Sequence, residues 1–87
     1  MKKEETKSVT ESVRQFILGN FTSARRRTLG NDDPLLENGI VDSLGVLDIV
    51  NFLESEFGVV ATDDELIPEN FRTIHLIAEY VEGKLTR

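Results

Sequence analysis

Apolar residues recur along this chain at helical spacing, in three separate runs. In residues 8–18, Val9, Val13, Phe16 and Ile17 stand at i, i+4, i+7 and i+8, which is one face of a helix. Ser8 and Glu11 have capping-box spacing, so Ser8 is the predicted N-cap, and Gly19 and Asn20 are the predicted terminators. In residues 43–57, Leu44, Leu47, Val50, Leu53 and Phe57 follow helical spacing, with Ile49 and Phe52 on the flanks. Asp48, Asn51, Glu54, Ser55 and Glu56 make the polar face of this second run, and Gly58 ends it. After Thr73, a predicted N-cap, Ile74, Ile77, Ala78, Val81 and Leu85 form a third stripe, and Lys84 suits the negative end of that helix dipole.

The segments between these runs are less regular. Residues 21–42 make a connection of a length that is unusual inside a small domain and often functional. Phe21, Leu29, Leu35, Leu36 and Ile40 are its candidates for contact with the core. Gly39 marks a backbone position that needs either positive φ or close approach. In the later connector "VVATDDELIPENFRT", Thr62 and Glu65 have capping-box spacing, and Pro68 opens a short helical turn to Phe71. Val59 and Val60 are too short a run to predict a strand. Each stripe needs an apolar partner, so the elements predict an all-α fold. The expected form is a small four-helix bundle, three main amphipathic helices plus one short helix, with a long loop between helices 1 and 2.

Composition narrows this. The chain has 87 residues, 39% of them hydrophobic, enough for one domain over 1–87 with about 6–85 structured. The absence of cysteine excludes disulfides and thiolate metal sites, and a single histidine, His75, leaves no basis for a His-rich metal site or a catalytic triad. The first residues are basic but no apolar run follows them, so they do not read as a secretory signal. No stretch has the length of a membrane span. The expectation is a soluble, cytoplasmic monomer without membrane insertion.

Charge is segregated. Residues 1–30 hold seven basic and three acidic side chains, whereas residues 31–71 hold eleven acidic side chains and neither Lys nor Arg. An acidic middle repels phosphate backbones and attracts positive surfaces, so nucleic acid is not an expected partner and a basic protein patch is. Charge of this kind also serves solubility alone. The run Arg25, Arg26 and Arg27 is too short to argue nucleic-acid binding against that middle.

The candidate for chemistry is Ser43, in "ENGIVDSLGVLDIV". As a hydrolytic nucleophile it would need a base and an oxyanion hole. The one histidine has no acidic residue three before it, Val41 replaces the glycine of a "GDSL" motif, and the chain is too short for such a hydrolase. Two readings remain. Asp42 and Ser43 are both favoured N-cap types, so Ser43 could simply be a cap in a small acidic interaction module. Or its hydroxyl could accept a phosphate ester at the anion-favouring end of a helix. The acidic runs "NDDPLLENGIVD" and "TDDELIPENF" lack the ligand spacing and central glycine of a calcium loop.

The segment "DSLGVLDIVNFLESEFGV", with "ENGI" before it and "PENFRTIHLIAEYVEGKL" after it, resembles the acyl carrier proteins over nearly the whole chain. The resemblance implies no enzyme activity, but a 4′-phosphopantetheine arm attached to Ser43 from coenzyme A by a phosphopantetheinyl transferase. The arm would carry an acyl or aminoacyl group as a thioester. Asp42 would help the transferase recognise the serine. Leu44, Val46 and Leu47 would form the apolar docking surface, and Asp48, Glu54 and Glu56 its acidic contacts. An acyl- or aminoacyl-loading ligase and an acceptor acyltransferase or synthase would be the further partners. The pattern of fatty-acid synthesis has glycine three residues before the serine, whereas here Gly39 lies four before it. "NGIVDSLG" is closer to stand-alone D-alanyl and other aminoacyl carriers. Asn51 stands where an apolar docking residue is common. These departures point to a specialised pathway more than to general fatty-acid or lipid biosynthesis.

Overall fold

Ser8 opens the first helix as its pattern predicts. In the computed structural model, which describes residues 8–25 and 29–86, Ser8 is extended and its Oγ accepts from the Glu11 N–H at 3.1 Å, starting α1 (Val9–Asn20). The Glu11 carboxylate turns along the helix and accepts from Gln15 Nε2 at 2.7 Å. The helix runs past its expected end at Leu18, through Gly19. It stops only where the Phe21 N–H closes on the Ile17 carbonyl at 3.0 Å and the Phe21 ring sets its edge against Phe16.

The long connection is more ordered than its composition suggests. It begins with a single helical turn, α2 (Thr22–Arg25), whose Ala24 is buried. Four residues are too few for periodicity to reveal, and the turn fell within the expected loop. Arg26, Arg27 and the Arg25 side chain lie outside the described residues, as do residues 6 and 7 of the expected structured span. Further on, the Leu35 N–H donates to the Arg72 carbonyl at 2.8 Å, and the His75 N–H donates to the Asn31 carbonyl at 2.9 Å. The Leu35 carbonyl accepts from both Ile40 and Val41 N–H groups, at 3.0 and 3.1 Å. Leu29, Leu35 and Ile40 are buried, and Phe21 and Leu36 half-buried, as their apolar character predicts. Gly39 has φ +72°, and nothing lies within 4 Å of where a Cβ would stand. Positive φ, not close approach, is therefore what requires glycine there.

α3 (Ser43–Phe57) ends as expected at Gly58, left-handed at φ +71°. Its rotation differs from the expected stripe. The buried line is Gly45, Ile49 and Leu53, while Leu44 and Leu47 are 73% and 51% exposed. Apolar residues cover more than half of this helix, so spacing alone leaves its inward face open. Packing settles it: Phe52 stacks on Phe16 with ring centroids 4.3 Å apart, a contact worth about 0.5–1.5 kcal/mol beyond burial.

A 3-10 turn (Asp63–Glu65), α4 (Pro68–Phe71) and α5 (Ile74–Leu85) follow. Pro68 sits in the first turn of α4, and Thr73 Oγ1 accepts from the Leu76 N–H at 3.0 Å to cap α5. The core joins Val13 and Ile17 of α1, Ile49 and Leu53 of α3, and Ile74, Ile77 and Val81 of α5. Fully burying each such side chain contributes about 1.5–3 kcal/mol. The architecture is all-α: three main helices and the short α4, with α2 as an added turn. Among the described residues there is no strand, and no helix is long and apolar enough to cross a membrane.

Candidate functional site: the serine platform

The first turn of α3 separates two residues that the sequence leaves interchangeable. Asp42 is extended, and its Oδ1 accepts from the Gly45 N–H at 2.7 Å while its carbonyl accepts from the Val46 N–H at 3.1 Å. Asp42 is thus the N-cap. Ser43 is the first helical residue; it is exposed, and its hydroxyl makes no hydrogen bond among the described residues.

Gly45 makes this turn possible. A Cβ on it would stand 2.7 Å from Phe21 Cε1, 2.9 Å from Val41 Cγ1 and 3.2 Å from the Asp42 Oδ1 that caps the helix. Its lack of a side chain lets the corner after α1 close onto the serine turn. Sequence reasoning missed this residue. The available signal was a glycine inside a helix, where it costs about 1 kcal/mol relative to alanine and so calls for a reason.

Beside Ser43 lies an apolar groove of about 190 Å³. Ser43 and Val46 line it from α3, Leu66, Ile67, Pro68 and Phe71 from the later connector and α4, and Leu36 from the long connection. The groove too was missed. Its trace in the sequence is the apolar run at 66–68 in an otherwise acidic connector.

Leu44, Leu47, Asp48, Asn51, Glu54 and Ser55 form a single exposed row on the outward face of α3. Val46 is not part of it, being half-buried in the groove. Glu56 is exposed but lies about a third of a turn away from the row, at 3.6 residues per turn. His75, exposed, pairs with Glu79 at 2.9 Å. Among the described residues no three His, Asp or Glu side chains are grouped to hold a metal ion.

One acidic side chain is strongly perturbed. Glu65 accepts from the Thr62 N–H at 3.0 Å, from Lys84 Nζ at 2.9 Å and from the Tyr80 hydroxyl at 2.9 Å. These donors, the Thr62 N–H foremost, stabilise the carboxylate and bring its pKa from 4.5 down to about 2, against the opposing effect of partial burial.

Residues 17–81, which include Ser43, match the model of a protein family described as the phosphopantetheine attachment site. The chain is 32% identical over 78 residues to "probable acyl carrier protein PigG" of Serratia sp. (strain ATCC 39006), covering 90% of this chain and 84% of that one. Among solved structures, KstB-PCP in its apo form is 36% identical with TM-score 0.64, covering 83% of this chain and 80% of that one. A chain from a crystal structure of an FAD-dependent dehydrogenase is 28% identical with TM-score 0.71, covering 79% of this chain and 97% of that one.

Proposed function

The chain belongs to the phosphopantetheine-binding carrier proteins, and from that premise we propose that Ser43 is its attachment residue. Proteins of this family hold a covalent 4′-phosphopantetheine group and are carriers, not catalysts. The observation that carries the assignment is the division of roles at the start of α3. Asp42 takes the cap, which leaves the Ser43 hydroxyl exposed and unengaged beside an apolar groove. A cap-only role for Ser43 has no support in that geometry.

The residues present fit the group. Ser43 Oγ would form the phosphoester bond. The phosphate would then sit at the positive end of α3, where helix N–H groups favour an anion. Val46, Leu66 and Ile67 would offer apolar contact to whatever part of the arm lies in the groove. When bound, the arm supplies a thiol that holds cargo as a thioester.

The cargo we assign is an acyl or aminoacyl group of a specialised biosynthetic pathway. The placement of Gly39, the likeness to PigG and the likeness to a peptidyl carrier protein support that reading. Its partners would be a phosphopantetheinyl transferase, a loading ligase and an acceptor acyltransferase or synthase, meeting it in the cytoplasm where coenzyme A is at hand. The exposed row Leu44, Leu47, Asp48 and Glu54 is the docking surface we assign to them, with Asp42 at its edge for the transferase.

Incubation with coenzyme A and a broad-specificity transferase, followed by intact mass measurement, tests the assignment. The wild type gains the mass of one arm and Ser43→Ala gains none. No gain on the wild type, or a gain that survives the substitution, overturns it.

A further inference from the structure

The wall of the groove opposite Ser43 is poorly anchored by its own burial. Leu66 and Ile67 are 37% and 42% exposed, and Pro68 is exposed as well. What holds this wall lies at its two ends. At one end Phe71 is buried in the core. At the other, Glu65 is fastened to α5 by Tyr80 and Lys84, residues 15 and 19 positions away in sequence.

Glu65 makes more bonds than its turn requires. The Thr62 N–H alone would complete the local box at the 3-10 turn. Lys84 reaches both carboxylate oxygens, at 3.0 and 2.9 Å, and the Tyr80 hydroxyl adds another bond. The Glu65 backbone carbonyl accepts from Asn70 Nδ2 at 2.8 Å, which folds the intervening wall into a closed arch. The Tyr80 ring also stands 5.6 Å from Phe71, so one α5 side chain contacts both ends of the arch. The ion pair is shielded, with side chains 22% and 24% exposed. The Arg72–Glu37 and His75–Glu79 pairs are more than half exposed and so contribute little.

We propose that the Glu65–Lys84–Tyr80 clasp is a positioning device for the groove beside Ser43. It holds the wall of Leu66, Ile67 and Pro68 at the distance at which an arm on Ser43 contacts it. The clasp acts through the wall and does not itself touch the arm. Releasing it at Glu65 or Lys84 leaves the core of α1, α3 and α5 intact, because neither residue belongs to that core and the Tyr80 ring, which packs against it, stays in place. The proposal rests on the reading of Ser43 as the attachment residue.

The test compares unloaded and loaded protein by methyl NMR, in the wild type, Glu65→Ala and the milder Lys84→Met, which leaves the Thr62 and Tyr80 bonds in place. Intact mass confirms loading in each case and so reports on Ser43 separately. In the wild type, the methyl signals of Val46, Leu66 and Ile67 shift on loading. In both variants the shifts at Leu66 and Ile67 fall by about twofold or more, with loading complete and far-UV circular dichroism unchanged, because only a local element is released. Wild-type shifts of full size in Lys84→Met and Glu65→Ala, or a loaded wild type whose groove methyls do not respond, overturn the proposal. A wild type that gains no mass overturns the attachment reading instead.

Discussion

A missing methyl group governs how closely the corner after α1 approaches the serine turn. Gly45→Ala would place a Cβ well inside contact distance of Phe21 and Val41 and press on the cap carboxylate of Asp42. Overpacking of this kind costs about 1–3 kcal/mol, so the urea midpoint is expected to fall accordingly. Phe21→Leu in the Gly45→Ala background should return part of the loss, and additive effects of the two changes would show that the ring is not the obstacle. Residues whose partners are near in sequence were legible: Ser8, Thr62, Thr73, Pro68 and Gly58 all act where the pattern places them. Asp42 and Ser43 were ambiguous because both types cap helices well, and only the backbone shows which one does. Gly45 and Glu65 were not legible in their full roles, because Phe21, Tyr80 and Lys84 reach them from elsewhere in the fold.

At the level of elements, existence was easier to read than orientation. The three long helices, the turn at Pro68 and the long connection all stand in the sequence as changes of period and punctuation. The rotation of α3 does not, since its apolar residues offer more than one inward face and the partner surfaces on α1 and α5 choose between them. Single-turn α2 is below the length at which period has meaning. The 3-10 turn gives an element-scale prediction. Folding lowers the Glu65 pKa from 4.5 to about 2. The folded state therefore binds this proton less readily than the unfolded one. The stabilisation is fully present above pH 4.5 and is lost as pH falls towards 2. Urea midpoints of the wild type and Glu65→Gln, followed from neutral to acid pH, should converge across that window. A difference that stays constant through it would mean that the carboxylate charge does not support the turn.

Across the whole molecule, the charge layout and the outward face of α3 combine. The exposed row joins two leucines near the serine to Asp48 and Glu54 further along, within a stretch of chain that holds no basic residue. Such a surface steers basic partners at long range and adds little affinity of its own. Reversing Asp48 and Glu54 to lysine should slow loading by the transferase about tenfold at low salt, and the deficit should shrink as salt shortens the screening length below about 10 Å. Rates that match the wild type at every ionic strength would remove the electrostatic role of the row. The charge segregation was visible from the sequence, and helical spacing alone puts Asp48 and Glu54 on the face of Leu44 and Leu47. That this face points outward was not fixed by spacing, because it depends on how α3 is rotated.

Asp42, rather than Ser43, holds the start of α3, and so esterifying the serine breaks no hydrogen bond among the described residues. A modification felt equally by folded and unfolded chains leaves the equilibrium between them where it was. On the proposed reading, attaching the arm therefore costs the fold nothing at its helix cap, and any change in stability comes from the new contacts that the phosphate and the arm make with the folded chain. Any difference in melting temperature between the bare and loaded forms then gauges two things: the attraction of the helix end for the phosphate, and how much of its time the arm spends in the groove.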